Sequence, residues 1–542
     1  MVRRTVDFRT QASTSQPQPA APTPAGTRTL YFQIRTVSPI HIGCDEVYEP
    51  TAFVVDEKTG ELVSFASVSL LELLDSEALK KFSDICAKGS IVSLLELLRF
   101  MHAQADLVRD HQLGQRIKVS AAFVEHHQST LKLPANEHTV KQELNNFQIR
   151  RTAFDPLTGK AYIPGSAIKG AIRTAVLNLR NGGRRDPQFT GNGAGRKLQE
   201  HVLGFDFHHL ESDPFRLLKV SDFFPVNEAA RRIVYAVDRK KRPSEREAQA
   251  PYQVLEAVEP GTVFAGTVTL LPSPGRDSGI RNPLGMDEVV KAIRSFYGTE
   301  KQREDRELGN ISVNPPVFPA DETTLPLRLG RHSGAECVTV NGHRHIKIMQ
   351  GKDKPAKHLD HATTVWLAAE SKKPTTNQGM KPFGWVAMES LSEEEGLKLL
   401  DQASQRKQSV FQIMQARVAA AKQHEAEIIA RKEAEKRQAE EREIRLAEEK
   451  EAQEAAAEKE RQTLAAMTEA ELLAYLVTKP DAPESDIVGI YSRIDSFELA
   501  EQQTIAAALK QYWESIGKWK VKPKQEKQWK KVQKIKTILG EA

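Results

Sequence analysis

The chain of 542 residues is long enough for several domains, since a domain takes roughly 150 residues. Its 77 basic and 72 acidic residues leave a net charge of only +5, so any nucleic-acid surface must be a local patch. No uninterrupted apolar run approaches the roughly 20 residues that span a bilayer, and the three cysteines lack metal-ligand spacing; we therefore expect a cytoplasmic protein with no membrane partner and no disulfide framework.

The N-terminal residues predict a disordered tail over 1–28, because a stretch rich in Gln, Pro, Ser, Thr and Ala cannot bury enough apolar surface to fold. Period-two alternation from Thr29 then predicts a strand. Pro39 and Gly43 end this run, so His41 is expected in a tight loop.

Two alternating runs, 52–56 and 61–65, flank a four-residue turn and predict a β-hairpin. Farther along, His126, His127 and His138 lie in a polar segment. Histidine-rich segments suggest metal binding, but no acidic or cysteine residue stands at a characteristic spacing from them. We expect neither a metal site nor a cofactor.

The most informative stretch, residues 162–176, begins as an apolar strand, breaks at Pro164, and continues with apolar residues at helical spacing. We expect a helix with Ser166 as its N-cap. Lys169 and Arg173 would project together near the positive end of this helix, where an anion such as a phosphate would stabilise them. The alternative is a solvated basic edge on an ordinary amphipathic helix.

Two more basic segments accompany this helix. Arg150 and Arg151 precede the turn that leads into it, either beside its cations or as solvated charges. Residues 327–334 form a short basic loop in which Gly330 and Gly334 would expose backbone N–H donors to an anion. Glycine-rich turns between strands are also common without any ligand.

The order of strands and helices up to residue 390 is what two ferredoxin-like units would produce, which predicts an α+β fold. Beyond it, a run of Ala, Glu, Lys, Arg and Gln predicts a long exposed helix. We therefore expect a first ferredoxin-like domain with insertions at 29–270, a second at 271–390, a long charged helix at 391–462, and a small all-α domain with a basic C-terminal helix at 463–542.

These motifs resemble the RAMP superfamily of CRISPR-associated proteins. Their order and spacing look most like the family of the fifth Csm subunit, which caps the 3′ end of crRNA in type III-A effector complexes. The resemblance covers roughly residues 29–390 and is carried by five segments: 36–43, 48–50, 163–174, 327–334 and 382–386.

The resemblance implies tandem RRM-type domains without a catalytic residue, which bind the spacer-derived end of crRNA in an antiviral ribonucleoprotein and stack on neighbouring Csm-type backbone subunits. Because guide sequences vary, the contacts should be to the RNA backbone. The residues expected to contact RNA are His41, Arg150, Arg151, Lys169, Arg173, Arg328, Gly330, Arg331 and Gly334. The glycines expected to permit close approach are Gly43, Gly165 and Gly170.

Two alternatives stay open. The first is a metal-independent endoribonuclease, as in related guide-processing RAMP proteins, with His41 as general acid or base, although no second catalytic group is identifiable. The second concerns the extension from Leu391, which departs from the family pattern and could be an arm that docks target RNA or host nucleases.

Overall fold

The computed structural model describes residues 26–541, apart from 192, 245–247, 249, 274, 276–278, 322 and 351–354 and the side chains of 410, 411, 414, 417, 418, 421, 422, 424 and 425. Residues 1–25 of the predicted tail lie outside the described residues, and the first strand already begins at Arg28. The chain divides into two compact units, Met1–Gln423 and His424–Ala542.

The strands of the described residues are β1 (Arg28–Thr36), β2 (Gly43–Val47), β3 (Phe53–Asp56), β4 (Glu61–Ser64), β5 (Gln115–Lys118), β6 (Ile149–Thr152), β7 (Leu218–Val220), β8 (Phe224–Pro225), β9 (Arg231–Lys240), β10 (Gln253–Val258), β11 (Val263–Leu270), β12 (Leu325–Arg328), β13 (Ile346–Ile348), β14 (Lys357–Leu359), β15 (Thr364–Ala369), β16 (Lys381–Pro382) and β17 (Trp385–Leu391). The predicted hairpin is confirmed as β3 and β4.

The α-helices of the same residues are α1 (Ser67–Leu71), α2 (Ser76–Ala87), α3 (Ile91–His102), α4 (Ala105–Asp110), α5 (Ala121–Leu131), α6 (Glu137–Phe147), α7 (Gly165–Asn181), α8 (Ala194–Leu203), α9 (Met286–Gly309), α10 (Glu393–Ala466), α11 (Glu469–Thr478), α12 (Glu484–Arg493), α13 (Leu499–Ser515) and α14 (Glu526–Leu539). None of these helices combines the length and apolar character needed to cross a membrane.

Two sheets organise the N-terminal unit. Sheet I is antiparallel, in the order β12-β17-β1-β11-β7, with β8 also paired to β11. Sheet II is mixed, in the order β2-β6-β10-β9-β5-β4-β3, and β15 pairs with β9 and with β16. The strands and helices together confirm the predicted α+β fold.

The sheets do not follow the predicted division between residues 270 and 271. β1 lies between β11 and β17, and β15 extends sheet II beside β9. Both sheets therefore contain strands from both sides of that boundary. The physical reason is that β1 is a central strand, whose backbone groups must be paired along both edges.

Helices α7 and α9 supply the apolar layer of sheet I. Ile168, Ile172 and Val176 of α7 are fully buried, as their helical spacing predicts, and they join a core that includes Phe296 of α9 and Trp385 of β17. This packing fixes the start of α7 relative to the end of β7.

The C-terminal unit is helical, as expected. The 74-residue helix α10 begins in the N-terminal unit beside Ser392, whose hydroxyl accepts the Glu395 N–H at 3.3 Å, and it ends in the C-terminal unit. Most of its described side chains are exposed. After it, α11 to α14 pack around a separate apolar core that includes Ile505, Leu509 and Ile535.

Candidate nucleic-acid interface

The loop after β1 and the loop after β12 lie against each other, and we refer to residues 37–43 and 329–334 as the paired loops. The Arg331 N–H donates to the His41 carbonyl at 2.8 Å. The Leu329 N–H donates to the Gly384 carbonyl, and the Gly384 N–H donates to the Pro39 carbonyl, both at 2.9 Å. Backbone hydrogen bonds thus hold together two motifs that are almost 300 residues apart in the chain.

Gly330 is what permits this close approach. Its φ is +81°, and a Cβ placed there would lie 2.3 Å from the His41 carbonyl oxygen. The close approach that Gly330 permits is to the protein's own backbone, and its predicted contact with RNA stays a prediction. Gly334, at φ +77°, is less crowded, since its Cβ would be 3.6 Å from the Glu336 carboxylate.

His41 supports the paired loops from inside. Its side chain is 1% exposed, and Nδ1 lies 2.7 Å from the Glu256 carbonyl oxygen. Because a carbonyl only accepts, Nδ1 carries the proton and donates it, which leaves Nε2 unprotonated, and Nε2 has no partner within the described residues. Burial lowers the pKa of His41, which keeps the ring neutral. RNA contact by His41 stays a prediction, and the burial of its side chain favours a structural role.

Two arginines remain available at the paired loops. Arg331 is exposed and Arg150 is half-buried, and neither guanidinium has a hydrogen bond or ion pair in the described part of the chain. Burial is the main cause that lowers the pKa of His41 and of His332, the latter to about 3, and the charges of Arg331 and Arg150 lower both pKa values further. Arg150 and Arg331 therefore lie near His41 and His332, whereas the sequence predicted Arg150 either beside Lys169 and Arg173 or as a solvated charge. RNA contact by both arginines stays a prediction.

Arg151 and Arg328 are already engaged. Arg151 lies 3.7 Å from the Glu46 carboxylate and 3.5 Å from the centre of the Phe154 ring. Arg328 is fully buried, pairs with Glu304, and donates to a backbone carbonyl at 3.0 Å. RNA contact by Arg328 stays a prediction, and the geometry favours a structural role, because the guanidinium lies in the core.

The start of α7 differs from the prediction. Its N-cap position is Pro164, which gives no side-chain cap, and Ser166 lies inside the first turn. The Gly165 N–H instead donates to the Asp222 carboxylate at 2.8 Å. A Cβ on Gly165 would lie 2.3 Å from the Val220 carbonyl oxygen, so this glycine too serves contact within the protein. The predicted N-cap is wrong because a carboxylate from another segment takes its place.

Arg173 holds α7 to its surroundings. It forms an ion pair with Asp213 at 2.9 Å, donates to the Gln199 side chain at 2.8 Å, and lies 4.8 Å from the centre of the Phe215 ring. These contacts occupy Nε and one terminal nitrogen of the guanidinium. RNA contact by Arg173 stays a prediction, and the geometry favours a structural role.

Lys169 has no such partners. Its ammonium makes no hydrogen bond or ion pair with any described residue, and burial, then the charge of Lys219, lowers its pKa. Gly170 is exposed beside it, and a Cβ there would meet no described atom within 4 Å. Lys169 and Gly170 thus form a second, smaller open patch, which no contact of the described residues joins to the paired loops.

The sequence did not predict the role of Glu256, a buried residue whose hydrogen bonds support the site. This carboxylate is fully buried, pairs with Arg231 at 2.7 Å, and accepts the Thr152 N–H at 3.1 Å, while its own carbonyl holds His41. An acidic residue within the apolar strand β10 was the available signal, because a buried carboxylate requires a charged or hydrogen-bonding partner.

Comparison with known proteins follows the same motifs. Residues 33–335 match the family model of the RAMP superfamily, whereas no curated protein matches the sequence. A chain of the cryo-EM structure of a Csm–crRNA–target RNA ternary complex in a type III-A CRISPR-Cas system is 18% identical, with a TM-score of 0.40, over 67% of this chain and 100% of that chain. The crystal structure of T. onnurineus Csm5 is 16% identical, with a TM-score of 0.36, over 65% and 99%.

The family match spans more than half of the 542 residues. It includes the His41 loop, the 162–176 helix motif and the glycine loop at Gly330. The chain therefore belongs to the RAMP superfamily.

Proposed function

We propose that this protein is a non-catalytic subunit of a type III-A CRISPR (Csm) effector ribonucleoprotein. In this role it binds the spacer-derived 3′ end of crRNA and caps the filament of backbone subunits. RAMP membership supports an RNA-binding role within a ribonucleoprotein. The order and spacing of the motifs along the sequence support the more specific capping role.

The observation that carries the proposal is the pair Arg150 and Arg331. The paired loops are held by backbone hydrogen bonds, and these two cations stand beside them without a carboxylate partner among the described residues. Guanidinium groups bind phosphate well because their planar donors match its oxygens. Contacts of this kind fix the RNA backbone without reading bases, which suits a guide of any sequence.

The geometry of His41 argues against the nuclease alternative. A general acid or base must come within hydrogen-bond reach of the substrate proton. His41 is buried under the paired loops, and its Nδ1 is committed to the Glu256 carbonyl. Incubation of the purified chain with repeat-containing RNA should leave that RNA intact. Specific cleavage that His41→Ala abolishes would favour the enzyme instead.

Purification of the tagged chain from its native cells tests the capping role. We expect small RNAs with trimmed 3′ ends and a set of Csm-type subunits to accompany it. Recovery without RNA and without such subunits would contradict the proposal. Target RNA or host nucleases bound through the C-terminal arm stay a prediction, which the same purification would address.

A further inference from the structure

Three side chains from separate elements converge beside the β3–β4 turn. They are Glu57 in the turn, His102 at the end of α3, and His127 in α5. One ligand atom from each lies within 4.8 Å of the other two. Sequence spacing could not reveal this cluster, because 45 and 25 residues separate its members along the chain.

His127 is the fixed member of the cluster. Its side chain is 2% exposed, and Nδ1 has no hydrogen-bond partner within the described residues. The Nδ1 of the half-buried His102 is likewise unpartnered there, and the two rings meet edge to face at 5.4 Å. Buried polar atoms almost always have a partner, so each such atom requires an explanation.

Glu57 is oriented toward the histidines. Gln128 donates to one of its carboxylate oxygens at 2.8 Å. The other oxygen lies 3.6 Å from His102 Nε2, which is too long for a hydrogen bond. One oxygen is therefore held in place, while the other faces an imidazole without bonding to it.

We propose that Glu57, His102 and His127 bind one divalent transition-metal ion of the Zn²⁺ class. Two imidazoles and a carboxylate are a ligand set that suits Zn²⁺, with water at the remaining position. Gln128 would orient the carboxylate from outside the coordination sphere. The ion would tie the β3–β4 turn to α3 and α5.

The geometry requires only a small adjustment. Metal–ligand bonds of about 2.0–2.1 Å bring tetrahedral ligands to roughly 3.4 Å from one another. The three ligand atoms lie within 4.8 Å of one another, so these separations must shorten by an ångström or so. Glu57 is exposed and His102 half-buried, so both can rotate toward the buried His127.

Metal titration of the full chain tests this site. After treatment with a chelator and dialysis, calorimetry with Zn²⁺ alone should show one equivalent bound tightly, and Co²⁺ should give the visible absorption of tetrahedral coordination. His102→Ala and Glu57→Gln should each weaken Zn²⁺ binding at least tenfold. The matched control His138→Ala removes an exposed histidine outside the cluster and should leave that binding unchanged.

Thermal unfolding provides the second readout. Zn²⁺ should raise the unfolding midpoint of the wild type and of His138→Ala, because a ligand that binds only the folded state stabilises it. It should not raise that of His102→Gln, a variant that keeps a polar side chain at this half-buried position. The absence of stoichiometric binding, or binding unaffected by His102→Ala and Glu57→Gln, overturns the proposal. None of these outcomes depends on RNA binding.

Discussion

A cation that already faces a carboxylate has little to gain from a phosphate, whereas an unpaired cation gains a partner. Six cations were expected to bind RNA, and the structure divides them by this criterion. Arg150, Lys169 and Arg331 have no partner among the described residues. The other three form ion pairs: Arg151 with Glu46, Arg173 with Asp213, and Arg328 with Glu304. Sequence predicted the cations but not the division, because each partner carboxylate lies at least 24 residues away.

This division predicts opposite results for two neighbouring cations of α7. Lys169→Ala should weaken RNA binding and reduce its salt slope by about 0.7, the value for one phosphate contact on a single strand. It should leave stability nearly unchanged. Arg173→Ala should lower the free energy of unfolding by about 2 kcal/mol, because Asp213 loses its partner at a site that is mostly buried.

Urea unfolding and filter binding across a salt series measure both effects. If Arg173→Ala folds as stably as the wild type and shows the larger loss of RNA affinity, the structural role assigned to Arg173 is wrong. Arg173, one turn farther along α7, would then replace Lys169 as the predicted RNA contact.

His332 predicts a dependence of stability on pH. Burial, with help from Arg331, lowers its pKa to about 3, against about 6.5 in the unfolded chain. The unfolded state therefore binds more protons between these values, so stability falls as pH drops below about 6.5, by at most about 1.4 kcal/mol per pH unit. His332→Asn, which tolerates the φ of +64°, should flatten this dependence. Urea midpoints from pH 4 to 7 that change equally in both proteins would contradict the assignment.

At the scale of elements, the sequence pattern predicts helices and strands correctly where apolar periodicity defines them. It does not predict which charged residues are buried. The pattern correctly predicts the buried face of α7 and the β3–β4 hairpin. Helix α9 extends from Met286 to Gly309 and carries buried charges in its second half. Within this helix, Glu300 and Glu304 are buried, and they pair there with Arg344 and Arg328.

Gly170 allows a test of close approach at the surface of α7. Gly170→Ala should stabilise this exposed helical position by about 0.5–1 kcal/mol, since alanine has the higher helix propensity. If the RNA backbone approaches there, the added methyl should also reduce RNA affinity. Thermal unfolding and filter binding report the two effects. Unchanged RNA affinity in the stabilised variant would remove Gly170 from the predicted interface.

At the scale of the whole chain, the first turns of α10 belong to the N-terminal unit. Gly396 packs against the Tyr31 side chain, Ala403 is buried, and Lys407 pairs with Asp155 at 2.8 Å. A boundary at residue 391 would cut through these contacts. The charge-rich sequence predicts the helix, but its apolar positions fade only after Ile429, beyond the end of the N-terminal unit at Gln423.

Two truncations therefore should behave differently. A chain that ends at residue 423 should keep the unfolding midpoint and the RNA affinity of the sheet unit, whereas a chain that ends at 391 should unfold at a lower temperature because those contacts are lost. Calorimetry of both truncations compares them. Equal midpoints would show that α10 contributes nothing to the N-terminal unit.

The most direct test of the central claim concerns the paired loops. The double variant Arg150→Ala, Arg331→Ala should bind single-stranded RNA more weakly, with a salt slope reduced by about 1.4 for two lost phosphate contacts. The matched control Lys80→Ala, Lys81→Ala removes the same charge from exposed positions on α2 and should bind like the wild type. Filter binding of all three proteins across a salt series decides the matter. Equal slopes and affinities for the double variant and the wild type would contradict the claim that these loops hold the RNA backbone.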